Sequence, residues 1–97
     1  MAIAISAVWT ANPGKEDAVR DALAKLVPAT RAECGCQAYV VHQDPAQPTV
    51  FKFFEISDDE DALRAHGGYP HFTKYAMGQE APALSRRSHE FTTVLEF

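Results

Sequence analysis

Residues 54–72 read FEISDDEDALRAHGGYPHF, and they hold a strand end, a helix start and two histidines. Leading into this run, Phe51, Phe53 and Glu55 alternate with Lys52 and Phe54, the period of a strand. Ser57 followed three residues later by Glu60 is a capping box and predicts a helix start there. Ala62, Leu63 and His66 then share one face at helical spacing. The carboxylate of Glu55 on the strand and the imidazole of His66 on the next helix are thereby aimed at one space. No other stretch of the chain concentrates polar chemistry in this way.

Upstream of the quoted run, residues 36–43 (CQAYVVHQ) read as a strand and Asp44 to Pro48 as a turn. Residues 49–56 return as the next strand, so the two form a hairpin. Downstream, a helix is expected from about Asp58 to His66, broken by Gly67 and Gly68. Pro70 starts a second helical piece carrying His71, Phe72, Tyr75 and Ala76, and Pro82 ends it. His89 to Phe97 alternates as a final strand. At the other end, residues 2–11 (AIAISAVWTA) suit a strand with Ile3, Ile5, Ala7 and Trp9 on one side. Asn12, Pro13 and Gly14 turn into a helix whose apolar stripe is Val19, Ala22, Leu23, Leu26 and Val27. Pro28 is expected to kink it or mark a new turn, and Gly35 to take a positive φ at its exit.

The order strand, helix, strand, strand, helix, strand is the β-α-β-β-α-β pattern of a ferredoxin-like antiparallel sheet. The fold class is α+β, in one domain over residues 1–97. Two helices cover only one face of four strands. The third strand is nonetheless apolar on both sides, with Phe51 and Phe53 on one and Val50, Phe54 and Ile56 on the other. A bare face of that kind marks an interaction site, and a homodimer with sheet facing sheet is expected. The alternative is that the C-terminal strand or a loop folds over this face within one subunit.

Composition excludes several classes. The net charge is -4 and no basic cluster exceeds Arg86-Arg87, which argues against nucleic acid as a partner. No apolar run approaches a membrane span, so no membrane partner is expected. Met1 to Trp9 is apolar but short and lacks a basic region, so it reads as a strand rather than a signal peptide. Cys34 and Cys36, one residue apart, rarely reach disulfide geometry and supply too few ligands for zinc. They read as free thiols in a reducing cytoplasm. The acidic run Asp58 to Asp61 suits a helix N-terminus and is not read as a metal site, because its carboxylates point around the helix.

The chain resembles the antibiotic biosynthesis monooxygenase family of small dimeric α+β-barrel proteins. The resemblance rests on the N-P-G-K-E-D opening of the first helix, Asn12 to Asp17, and on Glu33, Gly35, Cys36 and Tyr39. It continues with Phe51, Phe54-Glu55, Asp59-Glu60, Ala62-Leu63, His66 and Pro70-His71-Phe72. It implies a pocket between sheet and helices, and an enzyme that oxidises a quinol or phenolic substrate with O2 without metal, flavin or other cofactor. Other members degrade haem or isomerise a sugar derivative. Many relatives carry Trp or Tyr where this chain has Ser57, and often Pro where it has Cys34. The haem-degrading branch needs Trp at the Ser57 position and His at about Ala76, and neither is present.

A phenolic substrate needs a base, a dry apolar pocket and oriented polar groups. Imidazole suits the base because it titrates near neutral pH. His66 and His71 are the candidates, with Glu55 to orient His66 or raise its basicity. Trp9, Phe53, Phe72 and Tyr75 are candidate aromatic walls for a flat ring, and Tyr39 a hydrogen-bond partner for a ring oxygen. Each has a plainer role open to it: His66 as a helix C-cap, His71 facing water, Glu55 as a buried structural partner, the phenylalanines as core. His42 and His89 read as surface residues. A non-catalytic small-ligand-binding dimer and a proton-transfer isomerase remain the alternatives to the monooxygenase.

Overall fold

The computed structural model describes residues 1–80 and 83–97. The elements run β1 (Ile3–Ala11), α1 (Glu16–Arg31), β2 (Cys36–Gln43), β3 (Val50–Ser57), α2 (Glu60–Gly68), α3 (Phe72–Glu80) and β4 (Leu84–Thr93). The strands form one antiparallel sheet in the order β2-β3-β1-β4, the ferredoxin-like arrangement. β2 and β3 are the expected hairpin, with Tyr39 opposite Glu55 and Val41 opposite Phe53.

The period of each element decides what it buries. In β1, Ile5, Ala7, Trp9 and Ala11 are buried, and in β3 Phe51 and Phe53, all on the face beneath the helices. Helix α1 meets them with Val19, Ala22, Leu23 and Leu26, and adds Thr30 one turn further on. Pro28 lies inside this helix, which continues to Arg31 without ending at the proline. Gly14 has the left-handed φ of +82°, which lets the chain turn between β1 and α1 at no steric cost. Among the described residues, no helix lies on the opposite face of the sheet. There Phe54 and Val40 are 42% and 47% exposed, while Phe53, one residue from Phe54, is 2% exposed.

Several local expectations are corrected. Helix α2 is capped by Asp59, whose side chain accepts from the Ala62 amide at 2.8 Å, and not by Ser57. Ser57 instead pairs with Ile3 and Cys36 as the last residue of β3 and is buried. Gly67 and Gly68 end α2 from within, and Tyr69 is its C-cap. Gly35 does not take a positive φ; its backbone is pressed on α2, where an added Cβ would lie 2.3 Å from the Ala62 Cβ. The second helical piece is wound with π-type hydrogen bonding over Phe72–Glu80, and the expectation for Pro82 falls outside the described residues. The last strand starts at Leu84 and ends at Thr93, five residues earlier at its start than the alternation of Phe91 to Phe97 suggests. It is fixed by pairing with β1, with Phe91 opposite Ile5 and Arg87 opposite Trp9.

Candidate active site

Antiparallel partners point to the same face, so the register lays out the floor beneath the helices. One row across the sheet is Tyr39, Glu55, Ile5 and Phe91. The neighbouring row is Val41, Phe53, Ala7 and His89. Above the first row sits α2, which presents Leu63 and His66. Between them is a cavity of about 160 Å³. Ile5, Trp9, Tyr39 and Glu55 line it from the sheet, and Leu63, His66, Gly67 and Phe72 from the helical side. His89 and Phe91 of β4 border it at the exposed edge. Larger hollows of about 320 and 430 Å³ lie at the edge near Ile3 and Glu60, but no imidazole borders them.

The polar centre of the site is a carboxylate that the sequence reading left without a role. Glu33 follows α1 in a tight turn, held by its amide on the Thr30 carbonyl and by the Cys36 amide on its own carbonyl. Its side chain is only 6% exposed. His66 Nδ1 is 2.9 and 3.0 Å from its two oxygens, and His71 Nε2 is 2.5 Å from Oε2. A carboxylate has only acceptors to offer, so both imidazoles donate to it. Donation from Nδ1 leaves Nε2 of a neutral His66 as the ring's acceptor. That nitrogen lies 3.9 Å from Glu55 Oε1.

Glu33, rather than Glu55, is therefore the group that orients His66. Glu55 is the second carboxyl at this spot, and its pKa is pushed up from 4.5 to about 6. Burial is the main cause; Glu33 adds to it and His66 opposes it. Ring packing fixes the histidines: His66 meets Phe72 edge-on at 4.9 Å, and His71 stacks on Tyr69 at 5.3 Å. His71 joins the cluster from behind, on Glu33, without lining the cavity.

The aromatic candidates divide. Trp9, Tyr39 and Phe72 line the cavity. Phe53 lies in the core beneath it, 4.5 Å from the Trp9 ring and 6.1 Å from that of Tyr39. Tyr75 packs against the core from α3, with Lys25 and Lys74 over its ring. His42 is exposed on the open face, as expected. His89 is exposed, as expected, and its ring also borders the cavity and stacks on Phe91. Burial, with Arg87 nearby, lowers its pKa. Arg87 places its guanidinium 4.7 Å over the Trp9 ring. Among the described residues, Trp9 Nε1 and Arg87 Nε are buried without a hydrogen-bond partner. Both cysteines are free, and burial together with Glu33 and Glu55 pushes the Cys36 thiol up, away from reactivity.

A four-stranded sheet, three helical segments and a small cavity with an imidazole between sheet and helices define a class of compact α+β pocket proteins. Within it the assignment is specific. The family profile "Antibiotic biosynthesis monooxygenase" matches residues 2–77, and the chain belongs to that family. Among solved structures, PA3566 from Pseudomonas aeruginosa is 33% identical, with 98% of this chain and 95% of that one covered and a TM-score of 0.88. Rv0793 from Mycobacterium tuberculosis is 26% identical over 100% and 98% of the two chains, with a TM-score of 0.89. A protein described as an antibiotic biosynthesis monooxygenase is 26% identical over 97% and 99%, with a TM-score of 0.88. No curated protein matches the chain. Among the described residues, no helix is long and apolar enough to cross a membrane.

Proposed function

We propose that the chain is a monooxygenase that oxidises a single-ring phenol or quinol with O2, using no metal or flavin, with His66 as the base. The observation that carries this reading is the buried Glu33–His66 pair, which turns the acceptor nitrogen of the imidazole away from Glu33 at the edge of an apolar cavity. His66 Nε2 takes the phenolic proton, and Glu33 holds the ring and stabilises the imidazolium that forms. The phenolate passes one electron to O2, and the two radicals combine into a ring peroxide. His66 returns its proton to the peroxide oxygen; the ring carbon then loses its hydrogen as a proton while the O–O bond breaks, so that one oxygen stays as the new quinone carbonyl and the other leaves as hydroxide, which takes up that proton as water. Trp9, Tyr39 and Phe72 hold the flat ring. His71 supports Glu33 from the far side.

The size of the cavity narrows the substrate. A cavity of roughly 150 Å³ holds one benzene ring in another protein, and this one is about 160 Å³. A single-ring quinol fits it, and a larger one would extend past Phe91, which is 59% exposed at its border. Oxygen uptake is expected with single-ring quinols and lost in His66→Ala. No uptake above background between about pH 6 and 8 overturns the reading. Turnover of a substrate without oxygen would assign the same pair to an isomerase instead.

The working unit on this reading is a homodimer closed through the open sheet face, where Phe54 and Val40 are exposed. Light scattering at micromolar concentration tests it, and a mass of 10.7 kDa refutes it.

A further inference from the structure

We infer that Glu33, His66 and His71 form a binding site for one divalent first-row transition-metal ion, of the zinc or cobalt type. Their three ligand atoms, a Glu33 oxygen, His66 Nδ1 and His71 Nε2, all lie within 4.8 Å of one another. An ion bound at about 2.0–2.2 Å holds its ligand atoms roughly 3–3.5 Å apart. The distances from Glu33 to the two imidazoles, 2.5 to 3.0 Å, already approach that spacing. One ion would take the place of the two protons that now hold the cluster together, with small ring rotations.

The donor set selects the ion. Two imidazoles and one carboxylate suit zinc, cobalt, nickel or iron, whereas calcium and magnesium take oxygen ligands. Three protein ligands leave a further coordination position for water or a small ligand. The surroundings match those of bound metals. The other ring nitrogen of His66 faces a carboxylate, Glu55 at 3.9 Å, as outer-shell partners of ligating histidines do. The His71 ring is fixed on Tyr69 and the His66 ring on Phe72. The ligands come from three places, the turn after α1, the end of α2 and the chain just before α3, so the ion would tie these together. An ion on Nδ1 puts the remaining ring proton of His66 on Nε2, so the ion-loaded chain lacks the base of the proposed reaction; the two states exclude each other, and the site is read by binding alone.

The test uses the full chain, stripped with a chelator and carrying Cys34→Ser and Cys36→Ser so that thiols do not compete. On titration with Co(II), visible d–d absorption is expected to saturate at one equivalent per chain, and Zn(II) to displace it. His71→Ala and Glu33→Gln should each weaken Kd by about tenfold or more. His42→Ala, on the open face, should leave it unchanged. A titration with no saturable band overturns the inference. So does a Kd that is the same in the parent, His71→Ala and Glu33→Gln.

Discussion

Helix α1 and helix α2 divide the labour of this chain. In α1, five residues are buried, Leu26 and Val19 completely. In α2 none is, yet it carries His66 and borders the cavity. The long helix supplies the core; the short one carries the candidate base on a thin base of packing. The family's variety of reactions is easier to understand on such a plan, because α2 can change without dismantling the sheet and α1.

Substitutions can break or sharpen this contrast. The largest effect is expected on rate: His66→Ala should lower oxygen uptake with a quinol by about 10²- to 10⁴-fold. Its circular dichroism should stay that of the parent. In α1 the response should be inverted. Leu26→Ala removes a side chain with 0% exposure and should cost about 2–5 kcal/mol in urea melts, with the rate of the folded fraction retained.

Glu55 tests the floor beneath α2. Its carboxyl holds a proton more tightly in the folded chain, at about 6, than at its ordinary value of 4.5. The folded state therefore binds more protons between these values, and stability falls as pH rises through that window. The contribution is fully present below about pH 4.5 and lost above about pH 6. Over that shift it amounts to about 2 kcal/mol. Glu55→Gln should remove the dependence, leaving the variant more stable than the parent at pH 8 and similar to it near pH 4, by urea melts at both. Smallest is the cap: Asp59→Ala should cost about 1 kcal/mol through fraying of α2, visible as a lower Tm.

Local patterns carried much of the architecture. The strand at Cys36–Gln43 is read to the residue, because alternation on one side meets a proline-bounded turn on the other. The stripe of α1 is read correctly because 3.6-residue spacing needs no knowledge of the partner. What stayed hidden depends on contacts between distant residues. Glu33 lies 33 positions from His66, and only the packing of the α1–β2 turn on α2 brings them together. Its place in the run Glu33, Gly35, Cys36 was the one available signal. The start of β4 was missed for a related reason. The apolar alternation of Phe91 to Phe97 outweighs the polar SRRSHE segment, while pairing with β1 sets where the strand starts.

Gly35 has a reach beyond its size. Two residues before it stands the acid that gathers both imidazoles, and directly above it rests Ala62, with no space for even a methyl group between. The bare backbone thus serves as the gauge block that sets the height of the His66 ring over its anchor. A side chain at this remote, featureless position would lift the lever arm and part the imidazole from the acid without touching either.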